Sequence, residues 1–264
     1  MNPTLVRFRT PIESAFGQAG NIFALLADVA RKTFKPPFQW REFIEQSWFI
    51  ASVSILPSAL VAIPFGAVVS LQTGSLVKQL GAESFTGATS VLATVQQAAP
   101  VVTALIIAGA AGSAVAADLG SRTIREEIDA LEVLGVDPIH RLVVPRVLGM
   151  MLVALLLNGL VSVVGIAGGY FFNVLLQGGT PGAYLASFSA LAQLPDLWIG
   201  ELKALIFGLL AGVIAAYKGL HPAGGPKGVG EAVNQSVVIT FLVLFFVNLV
   251  LTLVYLQVVP AKGA

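Results

Sequence analysis

Long apolar stretches alternate with short charged segments along most of this chain. Five stretches contain no Lys, Arg, Asp or Glu, namely residues 46–77, 84–117, 147–195, 204–217 and 232–261. Because a helix needs about 20 apolar residues to cross the hydrocarbon core of a membrane, four of them are long enough on their own. The fourth stretch reaches that length only if its helix begins near Leu197 and takes Glu201 and Lys203 into or close to the membrane.

The third stretch is too long for one span, and the sequence QGGTPG at 177–182 marks a turn inside it. Residues 183–194 are too few to span and favour a surface or re-entrant helix. The predicted fold is an all-α polytopic membrane protein, with an N-terminal region at 1–45 and a five-span domain at 46–264. We predict the five spans at about 48–71, 91–114, 146–170, 197–217 and 235–258.

The N-terminal region has a helical period, with charged and polar residues between its apolar positions. This pattern predicts an amphipathic helix along the cytoplasmic membrane surface, and packing on a partner protein is the alternative. The region lacks the apolar core and cleavage site of a signal peptide, so we expect the mature chain to begin at or near Met1. The apolar positions are Ile12, Phe16, Ala19, Phe23, Leu26, Ala30 and Phe34.

Composition separates this chain from soluble proteins. Of its 264 residues, 56% are hydrophobic and 11% are charged, and the mean hydropathy is +0.86. An average soluble domain has about 25% charged residues, so a soluble enzyme is excluded. The formal net charge of +1 gives no basis for nucleic-acid binding. The chain has no Cys, which excludes disulfides, thiolate metal sites and cysteine nucleophiles.

The basic residues are distributed unevenly between the two sides of the predicted spans. Of the 15 Lys and Arg residues, 12 lie before the first span or in the second and fourth connections, whereas Lys78, Lys203 and Lys262 lie on the other side. Because cytoplasmic loops are enriched in Lys and Arg, this distribution predicts a cytoplasmic N-terminus. With five spans the C-terminus is then extracytoplasmic, and we expect the protein in the plasma (inner) membrane.

Motifs for catalysis are missing from the sequence. His140 and His221 lie in predicted connections without a zinc-binding motif, and no nucleophile elbow is present. The glycine-rich segment 219–230 lacks the order of glycines, Lys and hydroxyl that binds nucleotide phosphates. We therefore expect a chain that does not hydrolyse ATP by itself and holds no cofactor of its own.

The second connection, residues 118–146, is long for a link between two spans. We predict a short amphipathic helix at about 122–135, with Thr123 and Glu126 at capping-box spacing and a stop at Gly135 and Asp137. A solvated helical loop is the alternative. Ile124, Ile128, Leu131 and Leu134 form the apolar stripe, and Arg125, Glu126, Asp129 and Glu132 occupy the rest of the surface.

The stretch GSAVAADLGSRTIREEIDALEVLGVDPIHRLVVPRVL at 112–148 resembles the signature of the MlaE/YrbE permeases. These are membrane subunits of ABC transporters that move lipids together with MCE-domain proteins. The chain is also similar in length, span count and N-terminal helix to the A-type YrbE subunits of actinobacterial Mce systems. The resemblance implies a five-span core, a homologous second permease subunit in a heterodimer, two cytoplasmic ATPases that bind ATP and Mg, and an extracytoplasmic MCE assembly.

The resemblance also implies that the 122–135 segment is a coupling helix docked in a groove of the ATPase. Its apolar stripe would fill the groove, while the acidic residues would fix the register against basic residues at the rim. The residues assigned to coupling are Glu126, Glu127, Ile128, Asp129, Leu131, Glu132, Leu134, Gly135 and Asp137.

Four residues are candidates for the lipid path: Pro64, Phe65, Glu201 and Lys203. Apolar spans suit acyl chains, and prolines such as Pro64 kink spans and free backbone carbonyls. We expect Glu201 and Lys203 near the external interface, in an interfacial or cavity-rim role, two residues apart and too far around the helix to pair. The competing hypotheses are an ATPase-independent secondary transporter or channel, with these two residues as its ion site, and a structural membrane anchor.

Overall fold

The computed structural model describes residues 11–82, 85–176, 178, 180–191 and 194–258, in which it shows helices and no β-strand. This confirms the predicted all-α fold. The helices are α1 (Pro11–Thr33), α2 (Trp40–Gln79), α3 (Thr86–Ile124), α4 (Glu127–Val133), α5 (Val144–Leu176), α6 (Pro181–Leu191), α7 (Leu194–Leu220) and α8 (Gly225–Val258).

Five helices are long and apolar enough to cross a membrane, namely α2, α3, α5 with the turn before it, α7 and α8. The predicted span count is therefore confirmed, and each helix extends beyond the predicted span. The segment predicted at 183–194 overlaps α6, which has 11 residues and is too short to span. It packs against the first turn of α3, where the Ala88 N–H donates to Ser187 Oγ at 3.2 Å.

Small residues let the spans approach closely, as is common for helices packed within membranes. A Cβ atom on Gly66 of α2 would lie 2.2 Å from the carbonyl oxygen of Gly165 on α5. A Cβ on Gly208 of α7 would lie 2.7 Å from Met150 O, also on α5. Helix α5 is therefore held between α2 and α7. On the outside of α8 large apolar side chains are exposed, as expected of a lipid-facing helix: Val238, Leu242, Phe245, Phe246, Leu249 and Leu253.

The contact between Gly66 and Gly165 allows a direct test of this packing. Gly66→Ala places a methyl group against backbone, so we expect a destabilisation of about 1–3 kcal/mol. The measurement is the thermal unfolding midpoint of the detergent-solubilised protein, which should fall by several degrees. Gly109→Ala is the matched control, because its new Cβ meets no atom within 4 Å. Equal midpoints for the two variants would contradict the close approach of α2 and α5.

Helix α3 contains two wider π-helical turns, at Thr94–Ala98 and Ile107–Ala111, and Pro100 follows the first of them. Proline has no N–H, so Pro100 cannot donate to the carbonyl of Gln96 four residues earlier. The backbone of α3 therefore has a carbonyl available to another donor at this point. Helix α2 continues as one helix through its two prolines.

Helix α1 packs on the bundle through a face that shares Leu26 with the predicted stripe. Leu25 and Val29 are buried in the main core, whereas Phe23, Ala30 and Phe34 of the predicted stripe are exposed. The helix thus has one apolar face on its own chain and further apolar residues facing outward. Contact with a membrane surface stays a prediction for the outward residues. Residues Ile12 and Phe16 lie where side chains are not described.

The predicted capping box between the second and third spans is wrong. Helix α3 continues beyond the predicted span to Ile124, and Thr123 lies in its last turn, where Oγ1 donates to Leu119 O at 2.9 Å. The chain then turns sharply at Glu126, which has a left-handed backbone with φ of 61°, and α4 begins at Glu127. The predicted stop is confirmed, because Gly135 has φ of 73° and Asp137 Oδ1 accepts the Ile139 N–H at 3.0 Å.

Candidate functional site

The candidate site residues lie at opposite ends of the bundle. One end carries α4, the last turn of α3, the start of α5 and the last turn of α7, and we call it the α4 end. The other carries the first turns of α3 and α7 and the last turns of α8, and we call it the Lys203 end. A protein that transmits motion through a membrane would need functional residues at both ends of its helix bundle.

Lys203 is buried among three spans. Its side chain is 1% exposed, and Nζ donates to the Gln96 carbonyl of α3 at 3.0 Å and to Thr252 Oγ1 of α8 at 2.8 Å. The Gln96 carbonyl is the one that Pro100 leaves without its helical donor. None of the ion pairs within the described ranges includes Lys203. The freed carbonyl and the threonine thus bind the ammonium group inside the bundle, and an interfacial or cavity-rim role for Lys203 stays a prediction.

Further polar groups at this end are linked to the two partners of Lys203. Asp196 Oδ1 accepts hydrogen bonds from Gln96 Nε2 at 2.7 Å and from Tyr255 Oη at 2.6 Å. Gln97 Nε2 donates to Thr252 Oγ1 at 3.4 Å. We call Lys203, Gln96, Gln97, Asp196, Thr252 and Tyr255 the polar cluster. Sequence reasoning identified Lys203 and missed the other five, although isolated polar residues in apolar spans are the signal that marks them.

Glu201 belongs to a separate polar contact. Its Oε1 accepts from Asn158 Nδ2 of α5 at 3.1 Å, while its Oε2 has no hydrogen-bond partner. Lys203 turns toward α3 and α8, so the two side chains point to different neighbours, as their spacing predicted. Glu201 and Lys203 therefore belong to two separate sites. Glu201 lies at the interface of α5 and α7, and Lys203 lies in the polar cluster.

A cavity of about 360 Å³ lies between α2 and α3 beside the polar cluster. Phe65, a predicted lipid-path residue, lines it, and Gln97 belongs both to its wall and to the polar cluster. Pro64 is exposed and is not in the wall. The lining residues are Phe65, Val69, Gln72, Thr73, Ala93, Gln97, Ala98 and Val101.

At the α4 end, the predicted apolar stripe faces the chain's own bundle. Ile128 is 9% exposed and lies in the main core, and Leu131 is half-buried against the same core. Only Leu134 of the stripe is well exposed, at 76%, next to Val133 at 88%. Because α4 lies against the bundle, most of its apolar stripe packs there and is not available to another protein. We call the exposed residues Asp129, Glu132, Val133, Leu134 and Val136 the α4 face.

Two of the predicted coupling residues have partners within the chain. Glu127 contacts Arg125 at 3.0 Å and Arg122 at 3.5 Å. Asp137 pairs with Lys32 of α1 at 2.5 Å. Burial alone would raise the pKa of Asp137, but the hydrogen bond and charge of Lys32 and two backbone N–H groups together lower it below its ordinary value. Asp137 is therefore charged at neutral pH and holds α1 to this end of the bundle.

Five membrane-length helices, a buried polar cluster at one end and a short exposed helix at the other define a polytopic α-helical membrane protein with features of a transport subunit. The family model described as permease MlaE matches residues 43–254. The chain belongs to the MlaE permease family.

Related proteins match this chain over most of its length. A probable ABC transporter permease protein of Synechocystis is 36% identical over 82% of this chain and 82% of its own length. One of Rickettsia typhi, also described as a probable ABC transporter permease protein, is 32% identical over 90% of this chain and 92% of its own. The chloroplastic protein TRIGALACTOSYLDIACYLGLYCEROL 1 of Arabidopsis thaliana is 28% identical over 88% of this chain and 67% of its own. The chain is thus an ABC transporter permease.

Proposed function

We propose that this ABC transporter permease moves lipids, namely fatty acids, phospholipids or related envelope lipids, across or between envelope membranes, using ATP hydrolysed by a partner subunit. The observation that carries the proposal is the apolar cavity lined by Phe65, which adjoins the polar cluster around the buried Lys203. Acyl chains suit the apolar wall, and an anionic or polar headgroup suits an ammonium group and amides. The Arabidopsis relative is named after a glycolipid, which supports a lipid as the cargo class.

The headgroup would reach Lys203 by replacing its present partners. The ammonium group now donates to a neutral carbonyl and a neutral hydroxyl. A phosphate or carboxylate is a stronger acceptor for a cation in a dry environment, since it adds a full opposite charge to a hydrogen bond that now has a neutral acceptor. Movement of α8 away from α7 would break the Thr252 contact and open the Lys203 end. Lys203 therefore acts in this proposal as the headgroup-binding residue.

The proposed assembly contains a homologous second permease subunit in a heterodimer, two cytoplasmic ATPases that bind ATP and Mg, and extracytoplasmic MCE proteins. We place it in the plasma membrane with the α4 end in the cytoplasm. The α4 face would dock on the ATPase through Val133 and Leu134, with Asp129 and Glu132 at the rim. Family membership favours this ATP-driven mechanism over a secondary transporter, a channel or a structural anchor.

A photo-crosslinker at Phe65 tests the lipid path. In the active complex we expect Phe65 to capture a lipid, and the yield to change when the ATPase is trapped with a non-hydrolysable ATP analogue. The control is Phe246, which is 68% exposed on α8 and should contact bulk lipid whatever the nucleotide. No lipid at Phe65, or a yield that is as insensitive to nucleotide as that of Phe246, would place the path elsewhere.

Single cysteines test the orientation, since the natural chain has none. Cysteine at Leu80, beyond the end of α2, should react with an impermeant thiol reagent in whole cells. Cysteine at Glu132 on the α4 face should react only after the membrane is made permeable. Both sites are exposed, so a difference in labelling reports the side of the membrane. Labelling of the Glu132 position in whole cells would reverse the orientation.

A further inference from the structure

The most deeply buried charged side chain among the described residues lies at the α4 end and has no place in the predicted coupling site. Arg146, at the start of α5, has a guanidinium group that is 0% exposed. Its Nη2 and Nε donate to Asp118 Oδ2 of α3 at 2.6 and 3.1 Å. Its Nη1 donates to Leu142 O at 2.7 Å and lies 3.4 Å from Glu42 Oε1 of α2. One guanidinium group therefore joins three spans.

The same contacts continue outward to α4. Asp118 Oδ1, the oxygen not used by Arg146, accepts from Arg122 Nε at 3.2 Å. Arg122 Nη1 lies 3.5 Å from Glu127 Oε2 in the first turn of α4. Between Arg122 and Glu127 the chain passes through Glu126, whose left-handed backbone is unfavourable for a residue other than glycine. The ion pair thus crosses the bend that separates the end of α3 from α4.

We propose that Arg146 is a positioning residue for energy coupling, which links the α4 helix through Asp118 and Arg122 to the three spans that must move. The inference rests on the proposed function, because it requires an ATPase that pushes on α4. A displacement of α4 pulls on Glu127 and Arg122, and Arg122 shares Asp118 with Arg146. The guanidinium then transmits the displacement to α2 and α5, instead of letting α4 swing freely about Glu126.

Stability alone does not account for a buried arginine here. Burying an ion pair costs desolvation energy, and an apolar group of similar size often stabilises a protein as well or better. An arginine offers instead several donors in a fixed plane, which hold two carboxylates and a carbonyl in one arrangement. The side chains of Arg122 and Glu127, the outer ion pair of this network, are 32% and 42% exposed. This outer pair therefore breaks and reforms more readily than the inner pair of Arg146 and Asp118.

Arg146→Lys is the first variant, because lysine keeps the charge and loses the planar set of donors. The purified complex of the variant permease with its partners is reconstituted in phospholipid vesicles, and ATP hydrolysis and lipid transfer are measured together. We expect the ATPase to co-purify, hydrolysis without lipid to be kept, and the number of lipids moved per ATP to fall about tenfold. A residue needed only for folding would lower hydrolysis and transfer in parallel and leave their ratio unchanged.

Arg122→Gln is the second variant and covers the case in which Arg146→Lys fails to fold. It breaks the outer link and leaves the pair of Arg146 and Asp118 in place, so it should show the same loss of lipids per ATP. Lys227→Gln is the control, since Lys227 is 92% exposed and pairs only weakly with Glu231 at 3.9 Å.

The outcomes separate this inference from the proposed function. An unchanged ratio in Arg122→Gln, or in an Arg146→Lys protein that folds, would overturn the positioning role. A wild-type complex that moves no lipid would instead overturn the proposed function itself.

Discussion

Leu134→Asp should detach the partner ATPase from the permease. Leu134 is 76% exposed on the α4 face beside Val133, so it is available as an apolar anchor for a cytoplasmic partner. Loss of one buried anchor at an interface costs about 2 kcal/mol or more, which corresponds to about 30-fold weaker binding. The measurement is the amount of ATPase that co-purifies with the permease from membranes, together with lipid transport by the same preparation. Both should fall by at least an order of magnitude.

Two further variants control this experiment. Leu80→Asp is matched in chemistry and exposure, at 81%, but lies beyond α2 at the Lys203 end, and should leave the ATPase bound. Ile128→Ala should lower thermal stability, because Ile128 packs in the main core, without the selective loss of the ATPase. A Leu134→Asp protein that inserts, retains its ATPase and transports at the normal rate would show that α4 is a solvated helix without a coupling role.

Lys203→Met should abolish most lipid transport while the complex still assembles. Methionine fills a similar space, and replacing a buried charge by an apolar group is often neutral for stability. If the ammonium group binds the headgroup, its loss removes charge-assisted hydrogen bonds of about 1.5–3 kcal/mol, or about one to two orders of magnitude in transport at limiting lipid. Lipid transfer into acceptor vesicles is measured against lipid concentration, with ATPase co-purification measured in parallel.

Lys227→Met is the control for Lys203→Met, because Lys227 is an exposed lysine at the α4 end. It should transport as the natural protein does. Lys203→Arg separates charge from shape, and partial activity is expected because the positive charge remains. A Lys203→Met protein that transports normally at limiting lipid would show that Lys203 ties α7 to α3 and α8 without meeting the cargo.

The membrane fold could be predicted from sequence because charge-free length is a direct physical requirement for crossing hydrocarbon. Five spans, the short segment after the third and the stop at Gly135 all follow from local composition and turn chemistry. The lengths of the helices could not be predicted in the same way. Helix α3 continues past the predicted end of its span to Ile124, since packing against α7 stabilises turns that hydropathy alone would end earlier.

The direction in which side chains face was harder to predict than the helices themselves. Periodicity identified Ile128 and Leu134 as one apolar stripe, but could not tell whether a partner or the chain's own bundle covers it. The burial of Lys203 depends on a carbonyl that lies more than 100 residues earlier and is free because of Pro100. The contacts of Arg146 likewise join residues from α2, α3 and α5. Such long-range partners leave no local pattern in a single sequence.

ATP-dependent lipid transfer by the purified complex tests the central claim most directly. The permease is co-purified with its native partners, reconstituted in vesicles that contain a fluorescent phospholipid, and followed as lipid moves to or from the partner proteins after ATP and Mg are added. The account predicts transfer that requires ATP, is lost in an ATPase-inactive complex and falls sharply in Lys203→Met. Transfer at the same rate without ATP, or none in a complex that hydrolyses ATP and retains all its partners, would contradict it.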